Sequence, residues 1–131
     1  MPLSKDRATP LRDLQLVGDP VAAATTIYAG ALVCVNAAGN AVPGSTATGL
    51  KARGIATHQV INTGAAGAAT VQSRKGCARL KNDGSVTRAH IEATAYIVDD
   101  ETVAAGDGGG TRSAAGRIVD VESAGVWVEI K

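Results

Sequence analysis

The sequence predicts a mainly β protein, a small antiparallel β-barrel or sandwich-like domain preceded by an extended N-terminal arm and holding at most one short helix. Three observations predict it. Short strand-like runs recur along the chain with turn residues between nearly all of them. The last two runs alternate apolar and polar residues with a period of two. Although the chain is rich in alanine, the best helix former, its alanines are interleaved with glycine and threonine in GAAGAAT and VAAATT, and no amphipathic stretch of about twelve residues survives.

The elements follow in order. Residues 1–13, MPLSKDRATPLRD, carry two prolines and five charges without an apolar period, which predicts an extended arm. Fully stretched, it would reach on the order of 40 Å at about 3.3 Å per residue. Residues 14–131 form the single β-rich domain that a chain of 131 residues accommodates. The strand-like runs are ALVCVN (31–36), RGIATHQVI (53–61), ATVQSRKGCARL (69–80), TAYIVDDETVA (94–104), GRIVDVE (116–122) and GVWVEIK (125–131). AAGN at 37–40 and NDG at 82–84 are reversals, and Asp99 and Asp100 turn the chain between strands at 95–98 and 101–104. In the final pair, Val126, Val128 and Ile130 share one face against Trp127 and Glu129, Val119 and Val121 oppose Asp120 and Glu122, and SAG closes a tight hairpin. TRAHIEA (87–93) is the best helical candidate, one or two turns beginning at Thr87 as N-cap.

Composition narrows the function. With no Phe, one Trp, two Tyr and one Met, the core falls to Val, Ile, Leu and Ala. Each buried methylene contributes about 0.8 kcal/mol, so such a core gains less than an aromatic one, and partner contacts are expected to supply part of the stability. A net charge of +1 argues against nucleic acid as partner. The uncharged run at 21–35 is mostly Ala, Thr and Gly without a run of leucines and is too short to span a bilayer, and Asp6, Asp13 and Asp19 dilute the basic residues before it, so neither export nor membrane insertion is expected. Cys34 and Cys77 have no CxxC spacing and no nearby histidine, and are expected as free, partly buried thiols.

No catalytic or cofactor chemistry emerges from the motifs. GDGGGTRSAAG (106–116) lacks the G-K-[ST] ending of a phosphate loop and is followed too closely by a strand, so it is expected as a mobile connection. Asp99, Asp100, Glu101 and Asp107 lack the register of a calcium loop, and neither a metal nor a cofactor is expected. There is no G-x-S-x-G; Ser45, Ser73, Ser113 and Ser123 lie in turn-like or charged contexts. His58 falls within a strand-like run and His90 in a short polar segment, both as ordinary histidines. The one concentration of charge is SRKGCARLK, where Arg74, Lys75, Arg79 and Lys81 form a solvated strand face or a contact for an acidic protein surface.

Taken together, MPLSKDRATPLRD, IYAGALVCVNAAGNAVPGSTATGLKARGIA and AYIVDDETVAAGDGGGTRSAAGRIVDVESAGVWVEI resemble the small capsid decoration, or cement, proteins of tailed bacteriophages over most of the chain. The match is one of overall pattern and carries no catalytic signature. The resemblance implies a non-enzymatic, head-stabilising protein made in the bacterial cytoplasm. It implies homotrimers on the outer capsid surface at three-fold or quasi-three-fold positions, bridging subunits of the major capsid protein. It also implies that the N-terminal segment adds to a strand of that protein, a role that falls here to Lys5, Arg7, Leu11 and Arg12, with Leu14 at the junction. Two other classes remain. A tail or adhesion module should expose a sugar-binding aromatic cluster, for which only Tyr28, Tyr96 and Trp127 are available, and a small enzyme would have to unite His58 or His90 with distant acids.

Overall fold

The protein is described from a computed structural model, which covers residues 4–9 and 15–131. The strands in chain order are β1 (Leu16–Pro20), β2 (Thr25–Ile27), β3 (Leu32–Val35), β4 (Ala41–Pro43), β5 (Lys51–Ala56), β6 (Val60–Asn62), β7 (Thr70–Arg74), β8 (Gly76–Asn82), β9 (Thr94–Ile97), β10 (Thr102–Ala104), β11 (Ala114–Glu122) and β12 (Gly125–Ile130). They form a five-stranded sheet in the order β1-β7-β5-β3-β4, a closed five-stranded barrel in the order β10-β8-β12-β11-β9, and the two-stranded ribbon β2-β6. All pairings between strands are antiparallel except β8 with β10. The mainly β class is therefore what the chain adopts, with barrel and open sheet both present. Among the described residues no helix is long and apolar enough to cross a membrane.

Strand β3 explains how the two parts are joined. Its run LVCV is buried on both faces, as continuous apolar strands are. Leu32 and Cys34 enter one cluster with Ile97, Val103, Ile118, Val126, Val128 and Ile130 of the barrel. Val33 points the other way, to Val21, Ile27, Ala41, Ala56, Val60 and Val71 beneath the ribbon. Both cores are aliphatic, as the composition requires.

The closing hairpin forms as expected. Glu122 registers with Gly125 around Ser123 and Ala124, and Val126, Val128 and Ile130 are buried while Trp127 and Glu129 are half-buried. One detail of β11 differs. A bulge between Ile118 and Asp120 inserts an extra residue, so Ile118 enters the core and Val119 does not share its position with Val121. Gly116 earlier in β11 lies so close to the Glu129 carbonyl of β12 that a Cβ would collide with it.

Two long runs prove to be two strands each. Run 53–61 leaves the sheet after Ala56, where Thr57 donates its N–H to the Gln72 carbonyl (3.0 Å), and resumes as β6 to pair with β2. His58 consequently lies exposed in a turn and not within a strand. Run 69–80 divides at Gly76, whose φ of +125° suits glycine, and there the chain crosses from sheet to barrel. Strands β1, β2 and β4 have no counterpart among the sequence runs. The helical candidate is a single 3-10 turn at Arg88–His90, with the Thr87 N–H donating to His90 Nδ1 (3.0 Å).

Candidate interaction surface

Residues 4–9 are exposed and hold no helix or strand, so Lys5 and Arg7 of the predicted arm face solvent. Leu11, Arg12 and Leu14 lie outside the described residues. The carbonyl of Gln15 accepts the Lys75 N–H at 2.7 Å, and the chain continues as β1. β1 is an edge strand whose inner side pairs with β7, from Leu16 opposite Arg74 to Pro20 opposite Thr70. The Lys75-to-Gln15 bond at one end and the Val21-to-Ala69 bond (2.9 Å) at the other give the alternation of an antiparallel ladder. It turns the backbone of Leu16, Gly18 and Pro20 outward. Pro20 contributes no N–H there, which shortens the edge available for pairing.

The predicted basic contact residues do not form one surface. Arg79 and Lys81 lie on β8 in the barrel, where acids answer them. Arg79 is 3.6 Å from Glu122 and its guanidinium stands 5.9 Å from the Trp127 ring centre. Lys81 is 2.7 Å from Glu101, whose hydrogen bond and charge raise the lysine pKa above its ordinary value. Arg74 and Lys75, on the other side of Gly76, join a groove along β5.

Three adjoining clefts of about 330, 320 and 300 Å³ tile that groove. Lys75 is common to the first two, and Ala52 and Lys131 to the last two. Its floor is apolar or small, with Ile55, Ala52, Ala78 and Ala115, and its rim carries Arg74, Lys75, Lys51, Arg53, Lys131 and Arg117. Both acids lining it are engaged. Asp19 receives Arg53 Nε at 2.9 Å and Nη2 at 3.1 Å, and Glu129 receives Arg117 Nε at 3.2 Å. Lys51, Arg74, Lys75 and Lys131 form no ion pair among the described residues. Sequence reading missed Lys51, Arg53 and Lys131, because only the folding of separate strands brings them beside Lys75.

A second surface is distinguished by a lack of charge. Between residues 20 and 73 the only charged side chains are Lys51 and Arg53. The β2-β6 ribbon sits within this stretch, with Ile27 and Val60 buried beneath it. Thr26 is registered opposite Ile61, so Ile61 and Tyr28, two residues past Thr26, share the outer face. Each is 61% exposed, and exposed Ala23, Ala24, Ala65, Ala66 and Ala68 flank them. Buried Asn62 ties the loops together. Its Nδ2 donates to the carbonyls of Val21 (3.1 Å), Ala22 (3.0 Å) and Ala65 (3.0 Å), and its Oδ1 accepts the Gly64 N–H (3.0 Å). The uncharged span was visible in the sequence; that it becomes an exposed face was not.

The remaining chemical candidates have structural environments. The glycine loop closes on Asp107, whose carbonyl accepts the N–H groups of Thr111 and Arg112 (both 3.0 Å) and whose Oδ1 accepts that of Gly109 (3.1 Å). Gly108, Gly109 and Gly110 all have positive φ, so the run is a wound, internally bonded turn. Asp99 Oδ1 accepts the Glu101 N–H at 2.9 Å in the predicted β9–β10 turn, while burial and then the neighbouring Asp99 and Glu101 charges raise the Asp100 pKa. Ser73 and Ser113 are buried, contrary to a turn-like or charged setting. Ser113 Oγ donates to the Ala47 carbonyl (2.7 Å) and accepts the Leu50 N–H (3.0 Å), pinning a long loop. Cys34 is fully buried, with its pKa pushed up to about 12 by that burial, whereas Cys77 is exposed and not partly buried. Among the described residues no three His, Cys, Asp or Glu side chains are grouped to hold a metal. Tyr28, Tyr96 and Trp127 sit on the ribbon end, β9 and β12, with no ring contact joining them among the described residues.

Comparison of the chain with protein-family models, curated proteins and solved structures finds no match.

Proposed function

We propose that this chain is a non-enzymatic capsid decoration protein that binds the outer surface of a phage head and bridges subunits of the major capsid protein. In this reading it acts as a homotrimer at three-fold or quasi-three-fold positions, after synthesis in the bacterial cytoplasm. The observation that carries the reading is that residues 4–9 are exposed and that β1, the first strand of the described residues, lies at a sheet edge. Such an edge accepts another polypeptide by strand addition, in which main-chain hydrogen bonds supply affinity. The uncharged face around Tyr28 and Ile61 adds support, because the buried centre of a protein interface is depleted of charge.

Ordering the segment costs about 1–2 kcal/mol per residue fixed, which strand pairing and apolar burial must exceed. Three-fold assembly lowers that burden, since one docked subunit raises the effective concentration of the others. The test is co-sedimentation with undecorated phage heads. Deleting residues 1–13 should abolish attachment while circular dichroism still reports the folded β domain. Unchanged attachment of the deletion variant would overturn the strand-addition mechanism, and failure of the full chain to sediment with any head would overturn the decoration reading.

A further inference from the structure

The groove along β5 gathers several cations that have no acid partner among the described residues. Away from it, Arg79, Lys81 and Arg88 each stand within ion-pair distance of an acid of the same chain, and at its end so does Arg117. In the groove, Arg53 has Asp19, but Lys51, Arg74, Lys75 and Lys131 have none among the described residues. We infer that this groove binds an extended acidic segment of a partner polypeptide, with the carboxylates meeting Lys51, Lys75 and Lys131 above the small apolar floor.

Three features select this occupant. The unmatched cations create a positive potential focused by flanking low-dielectric walls, which attracts negative charge and orients its approach. The floor of Ile55, Ala52, Ala78 and Ala115 offers apolar contact for the stem of a glutamate or an intervening small side chain but no ring on which a nucleobase would stack. The groove also follows β5, a six-residue strand that at about 3.3 Å per residue extends on the order of 20 Å, a length suited to an extended peptide. The Arg53–Asp19 fork, with bonds of 2.9 and 3.1 Å, already holds one carboxylate beside the unmatched lysines. The inference deepens the decoration reading by giving the shell partner an acidic strand, yet it stands on the groove alone.

The probe is a fluorescein-labelled peptide of alternating glutamate and serine, about ten residues long, titrated with the full chain and followed by fluorescence anisotropy at low salt. Binding should weaken roughly tenfold or more in the combined variant Lys51→Gln, Lys75→Gln, Lys131→Gln. It should change by less than about twofold when Lys81→Gln and Arg88→Gln remove charges already paired on the barrel. Thermal melts confirm that both variants are folded. Weakening in the two variants in proportion to the three and two charges removed would reduce the effect to net charge and overturn the inference, as would absence of peptide binding or tighter binding of a single-stranded DNA oligonucleotide of equal charge. Peptide binding by a chain that does not sediment with heads supports the groove and removes only the decoration reading. Attachment to heads without peptide binding overturns the groove alone.

Discussion

Residues 16–74 and residues 76–131 hold short strands together with almost no aromatic bulk, and they do it by different chemistry. The open sheet and its ribbon rely on aliphatic packing and on neutral amides, above all Asn62 with its four backbone bonds and Asn36, whose Oδ1 accepts the Ala38 and Asn40 N–H groups at 3.0 Å. Its one ion pair among the described residues is Arg53 with Asp19. The barrel instead carries acid–base pairs on its outside, Arg79 with Glu122, Lys81 with Glu101, Arg88 with Asp120, and Arg117 with both Glu92 and Glu129. These pairs are solvated and contribute little to stability. What they do is keep one half of the molecule firmly in water. The other half exposes a face from which water can be removed without stripping any charge of its hydration, which is the property a docking surface needs.

The largest expected effect tests whether the halves are independent. Leu32 belongs to the sheet but is buried in the barrel's core, so Leu32→Ala should destabilise the protein by about 2–5 kcal/mol. The Trp127 fluorescence of the barrel and the far-ultraviolet signal of the whole should shift together in one melt; a barrel transition left in place would show that the halves fold separately. Next comes Cys34 on the same strand. Burial raises its pKa to about 12 from an ordinary 9.0, so the unfolded chain releases the thiol proton first. Stability is complete below pH 9.0 and falls as the pH climbs toward about 12, by about 1.4 kcal/mol for each unit crossed. Urea unfolding at stepped alkaline pH should show this slope, and Cys34→Ala should flatten it.

A smaller loss, about 1–3 kcal/mol, is expected for Asn62→Ala, because three carbonyls and one N–H, all but the Val21 contact only partly buried, lose this side chain as a partner. Since no charge is involved, that loss should be the same at low and high salt. The smallest effect belongs to the barrel's outer pairs. Lys81→Gln or Arg117→Gln should barely move the melting temperature at low salt and should be indistinguishable from the parent at about 1 M salt, where screening acts within about 3 Å. A large, salt-resistant loss at either position would mean that these pairs hold the barrel closed, contrary to their exposure.

The sequence disclosed the elements whose signals are local. Val126, Val128 and Ile130 alternate strictly, so the closing hairpin was legible, as were the reversal at 37–40, the Asp99 turn and a short helical turn beginning near Thr87. What escaped depends on distant partners. β1 reads LVGDP and β2 reads TTI, neither with a strand's usual pattern, and each exists because β7 or β6 lies alongside. The bulge in β11 was hidden because Val119 and Val121 alternate with Asp120 and Glu122 as in a regular strand, while the residue that enters the core is Ile118. Of the groove, only Arg74 and Lys75 stood out, since Lys51 and Lys131 approach them from other parts of the chain. Arg79 and Lys81 belonged to the same basic run, yet the crossing at Gly76 sent them to the opposite kind of surface.

A single four-residue strand, β3, has one side chain face in each core. Sliding the sheet past the barrel therefore requires side chains on both faces of β3 to disengage at once, which makes this strand closer to a rivet than to a hinge.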